Sequence, residues 1–170
     1  MMARGISSYE YVFYMKGAGF VLNLSGNLPA LLLACASGVL MAIQGSLNAC
    51  LSKTIGLLET TFVVNFTGTI LITILLFIMG MGKGNLSAWS EAPWYAYLGG
   101  VVGVGIIYLV AASIPQVGVA NATTAIIVGQ VLTAIIIDHC GAFGLDRIHY
   151  GWNQIIGLLL LVGGAKMLLK

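Results

Sequence analysis

The chain has 170 residues, of which 59% are hydrophobic and only 7% charged, and its mean hydropathy is +1.03. Soluble domains carry about 25% charged residues, so seven Lys/Arg and five Asp/Glu cannot coat a water-exposed surface. An ordinary cytosolic fold is excluded, as is disorder, which needs low hydrophobicity and high charge. A net charge of +2 is far too small for a nucleic-acid binder. The composition is that of an integral membrane protein embedded in a lipid bilayer.

Uncharged stretches run over residues 17–52, 60–82, 92–137 and 148–165. A spanning helix needs roughly 20 mostly apolar residues, with about 17–25 tolerated. The third stretch is too long for one span and is interrupted by Pro115-Gln116-Val117-Gly118, a turn-forming run. The spacing therefore predicts an all-α membrane protein with five transmembrane helices at about 29–50, 60–80, 94–114, 117–137 and 151–168. The domain is expected over residues 29–170, with residues 1–28 as an N-terminal extension, interfacial or disordered. Trp89, Trp94, Tyr95 and Tyr97 before the third span, and Tyr150 and Trp152 before the fifth, fit interfacial aromatic belts.

Helix 1 carries a small-residue face, Gly38, Ala42, Gly45 and Ala49, beside a polar strip of Ser37, Gln44 and Asn48. Small residues let backbones approach where no hydrophobic drive exists. Amides facing lipid are costly, so Gln44 and Asn48 should face another helix or a cavity. Interhelical hydrogen bonding and substrate contact fit them equally at this point. Helix 2 adds Asn65, deep in its span. Helix 3 carries glycines at 99, 100, 103 and 105 followed by Tyr108, and helix 4 holds Gln130 at mid-membrane. The candidate substrate-binding residues are therefore Gln44, Asn48, Asn65, Tyr108 and Gln130.

Helix 4 ends in Asp138-His139-Cys140-Gly141. An aspartate at a helix C-terminus opposes the dipole, so Asp138 requires a compensating partner, either Arg147 or N–H groups beyond Gly141. Asp138, His139 and Arg147 are read as structural, with proton coupling as the rival role. No Asp, Glu, Lys or Arg lies near the middle of the first four spans, and no nucleophile set, zinc motif or phosphate loop is present. The expectation is a non-enzyme without metal or cofactor. Cys35, Cys50 and Cys140 form no disulfide framework. With five spans the N-terminal side carries Arg4, Lys16, Lys83 and Arg147, and the other side Lys53, Lys166 and Lys170. Four positives against three give almost no orientation bias, so the chain is expected to insert both ways.

The segment Gln44-Gly-Ser-Leu-Asn48-Ala-Cys-Leu51 resembles the Q-x-x-x-N-x-x-L signature of YdcZ-type membrane proteins. Asn65-Phe66-Thr-Gly68-Thr is similar to that family's x-F-x-x-G-T element, with Asn65 where the family more often has serine. Gly99-Gly100-x-x-Gly103 and Pro115-x-x-Gly118 follow the same pattern, as does Gly129-Gln130 followed by Asp138-His139-x-Gly141-x-Phe143-Gly144. The resemblance covers about residues 29–170 and implies a five-helix, half-size member of the EamA-like drug/metabolite transporter superfamily, half of a ten-helix inverted-repeat fold. It implies a multi-pass protein of the bacterial inner membrane that carries a small-molecule solute. The expected function is a secondary carrier of a small polar or zwitterionic metabolite, working as an antiparallel homodimer or with a paired half-size homologue. The alternatives are a non-transporting subunit of a paired complex and a small multidrug exporter. The four-helix multidrug exporters rely on a helix 1 glutamate, where this chain has only Gln44 and Asn48, which argues against cationic drug efflux.

Overall fold

The computed structural model describes residues 24–169, with side chains from residue 28 onward. Five α-helices occur among them: α1 Leu24–Ile55, α2 Leu57–Thr73, α3 Leu98–Val117, α4 Val119–Cys140 and α5 Trp152–Leu168. No strand is present among the described residues. A single π-helical turn, Ile74–Ile78, extends α2, and short 3₁₀ segments at Leu86–Glu91 and Trp94–Tyr97 lead into α3. Four helices are long and apolar enough to cross a membrane, at Leu28–Ile55, Leu57–Ile78, Trp94–Val117 and Val119–Cys140. The fifth, α5, is apolar but has 17 residues, the lower limit for a span of about 17–25.

Two boundaries differ from the expectation. The segment between the first two spans was expected to be a loop from residue 51 to 59, yet Gly56 alone separates α1 from α2. Likewise Pro115, Gln116 and Val117 belong to α3, and Gly118 alone separates it from α4. Lys53 and Glu59 sit in terminal helical turns, where they reach water without unwinding the backbone. Pro115 lies in the last turn of α3, where a missing N–H removes only one helical bond. Of the N-terminal extension, residues 1–23 lie outside the described residues, and the chain is helical from Leu24.

The chain forms two units that meet in sequence at Val39 and Leu40. The described part of the first unit is the N-terminal portion of α1, whose side chains from Leu28 to Val39 are exposed. In the second unit α2 packs beside α3, α3 beside α4, and α4 beside α5. The buried side chains of that unit are Asn48, Ala49, Thr60, Thr61, Ala111, Ile114, Ala122 and Ala165. Those on α1 to α4 lie within about 12 Å, measured along their helices, of Gly56 or Gly118, and Ala165 is near the C-terminus of α5. The tight packing therefore occupies one end of the second unit.

That core is made of small residues, as packing between helices in lipid requires. Gly45 shows why: a Cβ added there would lie 2.9 Å from Val110 Cγ1 and 3.1 Å from Ile114 Cδ1. The small-residue face of α1 thus meets α3 through Gly45, and Ala49 joins Ile114 and Ala122 in the same cluster. At the opposite end the loops meet through Tyr95 and Phe143, whose ring centroids are 6.1 Å apart. The loop before α3 and the loop after α4 therefore share one side.

Candidate functional site

Between α1 and α2 in the second unit lies an open groove of about 650 Å³. That lies within the range of about 300–1,000 Å³ for small-molecule sites. On the α1 side it is lined by Gln44, Asn48, Leu40, Leu47 and their neighbours, and on the α2 side by Val64, Thr67, Gly68 and Leu71. Leu, Ile, Val or Met makes up eight of the twelve lining residues, and none is charged. Gln44 and Asn48 reach the same groove because positions i and i+4 stack on one helical face.

Asn48 is 4% exposed. Its side-chain amide makes no hydrogen bond among the described residues, and the residue lines the groove. One turn earlier, Gln44 is exposed along the same wall. The neighbouring polar residues of α1 behave differently: Ser46 Oγ donates to the Ala42 carbonyl at 2.9 Å and Ser52 Oγ to that of Ala49 at 3.0 Å. Serine hydroxyls reach the preceding turn and satisfy themselves there. The amide of Asn48 does not.

The other candidate residues do not line this groove. Asn65 is half-buried on α2, and its Nδ2 donates to the Thr61 carbonyl at 2.8 Å. It belongs to a ladder in which Thr61, Thr69 and Thr73 also donate to carbonyls four residues back, at 2.8, 2.9 and 2.7 Å. Tyr108 is half-buried on α3, and Gln130 is exposed at the middle of α4. The fold of one chain thus brings Gln44 and Asn48 together and leaves Asn65, Tyr108 and Gln130 on other faces. Thr67 and Gly68 are groove residues that sequence reasoning did not single out for the site. Their signal was the helical spacing Val63, Val64, Thr67, Gly68 and Leu71, one face of α2.

The C-terminus of α4 is closed by its own loop. Tyr150 Oη donates to Asp138 Oδ2 at 2.5 Å, so the compensating partner of this carboxylate is a tyrosine hydroxyl. Arg147 turns to the helix end, where its Nε donates to the Cys140 carbonyl at 3.1 Å. Gly141 N and Ile148 N donate to the Asp138 carbonyl at 3.3 and 3.0 Å. A cation and N–H donors at a helix C-terminus complement its dipole. His139 is exposed and stands edge-on to His149, with centroids 6.4 Å apart. No cluster of three or more His, Cys, Asp or Glu able to hold a metal ion occurs among the described residues.

Helices of this length and apolarity, with an uncharged groove between two of them, define a multi-pass helical membrane protein. Residues 29–167 match the family described as "Putative inner membrane exporter, YdcZ". The chain belongs to this YdcZ family and is a multi-pass inner-membrane protein of a transporter class rather than an enzyme class. No curated protein and no solved structure matches it.

Proposed function

We propose that the protein is a secondary carrier of a small polar or zwitterionic metabolite, acting as an antiparallel homodimer. The observation that carries this reading is Asn48: a residue 4% exposed, with no side-chain hydrogen bond among the described residues, lining a ligand-sized groove beside Gln44. A hydrogen-bonding solute in that groove would supply this amide with a partner, a bond worth about 0.5–1.5 kcal/mol. Gln130 supports the second copy. An exposed amide at the middle of a spanning helix is costly in lipid, and a partner bundle would cover it. Two copies of opposite orientation would recreate the inverted repeat of larger carriers, with Gln44, Asn48, Asn65, Tyr108 and Gln130 around a shared chamber.

Uptake into proteoliposomes tests the reading. A transported solute should show saturable flux that Asn48→Ala and Gln130→Ala each reduce while the variants remain folded. Flux indifferent to both changes removes the site. The opposed orientation has its own test, in a cysteine-free background with single cysteines at Lys83 or Lys166. In intact cells roughly half of each population should react with an impermeant thiol reagent, as dual insertion requires. One-sided labelling removes the antiparallel pair.

A further inference from the structure

We infer that the solute of the α1–α2 groove is a neutral aliphatic molecule bearing two hydrogen-bonding groups, each both donor and acceptor, about 6 Å apart. This rests on the reading of that groove as the solute site and narrows it to the uncharged members of the class.

The first support is the chemistry of the two amides. Each carboxamide offers an NH₂ donor and a carbonyl acceptor. A carboxylate would pair with the donors and leave both carbonyls unmatched. An ammonium would pair with the carbonyls and leave both NH₂ groups unmatched. A carboxamide or hydroxyl matches both halves of each side chain. Asn48 is 4% exposed, so a solute seated against its amide displaces what water reaches it, and a half left unmatched by that solute then counts against binding.

The second is the electrostatics of the walls. None of the groove residues is charged, and the nearest charged side chains in sequence, Lys53 and Glu59, lie in the terminal turns beside Gly56. A net charge entering this groove would lose hydration without meeting a counter-charge. The third is the absence of aromatic rings from the lining, which leaves nothing to stack on a flat ring or to hold a quaternary ammonium. Leucine, isoleucine and valine walls fit a flexible aliphatic body. The spacing follows from the helix, since residues four apart are separated by about 6 Å of rise.

Three solutes with one carbon skeleton separate the possibilities: adipamide, adipate and hexamethylenediamine. Each is added to the purified full-length protein in detergent, and its dissociation constant is read from the shift in thermal unfolding. Adipamide should stabilise the protein and the two charged analogues should not, with at least a tenfold difference in affinity. Asn48→Leu should weaken adipamide about tenfold, the loss of one hydrogen-bonded group. The same variant should not lower the melting temperature without solute, because it removes an unmatched amide from an apolar wall. If adipate or the diamine binds as well as adipamide and Asn48→Leu abolishes that binding, the neutral class is overturned and the groove stands as the site. If adipamide binds and Asn48→Leu leaves its affinity unchanged, the groove itself is overturned. No stabilisation by adipamide overturns the neutral class directly.

Discussion

Gly56 and Gly118 share one backbone conformation: φ 97 and ψ 163 at the first, φ 84 and ψ 161 at the second. Each closes one helix and opens the next. Gly56 N donates to the Ser52 carbonyl at 3.0 Å while its own carbonyl accepts from Thr60 N at 3.1 Å. Gly118 repeats this with Ile114 at 2.8 Å and Ala122 at 3.0 Å. A single residue thus reverses the chain with no backbone group of its own left unpaired, and both turns border the packed end of the second unit. The backbone region they occupy is essentially open to glycine alone.

Alanine at either position should destabilise the protein by about 1–3 kcal/mol, measured by thermal unfolding in detergent. Asparagine should rescue neither, because its tolerance is for the left-handed helical region and not for this one. The Gly56 change carries an additional clash, since its Cβ would lie 2.4 Å from Glu59 Oε2, whereas at Gly118 a Cβ meets nothing within 4 Å. Adding Glu59→Ala to Gly56→Ala should therefore bring its loss close to that of Gly118→Ala. An asparagine variant as stable as wild type at either position rules out the conformational account.

Much of this fold is legible in the sequence because lipid leaves few choices: uncharged stretches of the right length must be helices. The small face of α1 was legible for the same reason, and Gly45 and Ala49 do pack against α3. The one-residue turns were not legible. A lone glycine between Ile55 and Leu57 looks like any other helical glycine, and only the pairing of its neighbours' backbone groups makes it a turn. At the site, i, i+4 spacing brought Gln44 and Asn48 to one wall, but no sequence rule showed that Asn65 would spend its amide on the Thr61 carbonyl. Nor could spacing foresee that Asp138 would be matched by Tyr150, twelve residues away across a loop.

Gly45 should tolerate no side chain without compensation. A Cβ there lies 2.9 Å from Val110 Cγ1, tighter than packed side chains accept, and overpacking of this kind costs about 1–3 kcal/mol. Gly45→Ala should lower the melting temperature, and Val110→Ala should recover part of the loss in the double variant. A double-mutant cycle measures this directly as a coupling between the two positions. Additive losses would show that α1 and α3 do not meet at this point.

Thr60 offers the opposite sign. It is fully buried, at 0% exposure, and its Oγ1 has no hydrogen-bond partner among the described residues. The adjacent Thr61, also buried, donates its hydroxyl to the Leu57 carbonyl at 2.8 Å. Thr60→Val replaces an unmatched hydroxyl with a methyl of nearly the same size and should raise stability by about 1 kcal/mol. Thr61→Val removes a made hydrogen bond and should be neutral or destabilising. Equal effects at the two positions would contradict the assignment of the hydroxyls.

The Tyr150–Asp138 pair sets the alkaline limit of the loop that closes α4. The hydrogen bond from the Tyr150 hydroxyl to the Asp138 carboxylate, then burial, then the negative charge of Asp138 all favour the protonated phenol, raising its pKa above the ordinary 10.0. A group whose folded pKa is raised adds stability that is fully present below its unfolded value and disappears as pH rises through the folded one. Stability should therefore be level with respect to this group up to about pH 10 and decline above it. Tyr150→Phe should remove that alkaline decline and lower stability at neutral pH by about 1 kcal/mol or less, since the pair is half exposed to solvent. Asp138→Asn keeps a hydrogen-bond acceptor but removes the charge, so tyrosinate absorbance should show Tyr150 titrating closer to its ordinary value. An alkaline titration that is the same in wild type and Asp138→Asn would mean the carboxylate does not hold the phenol.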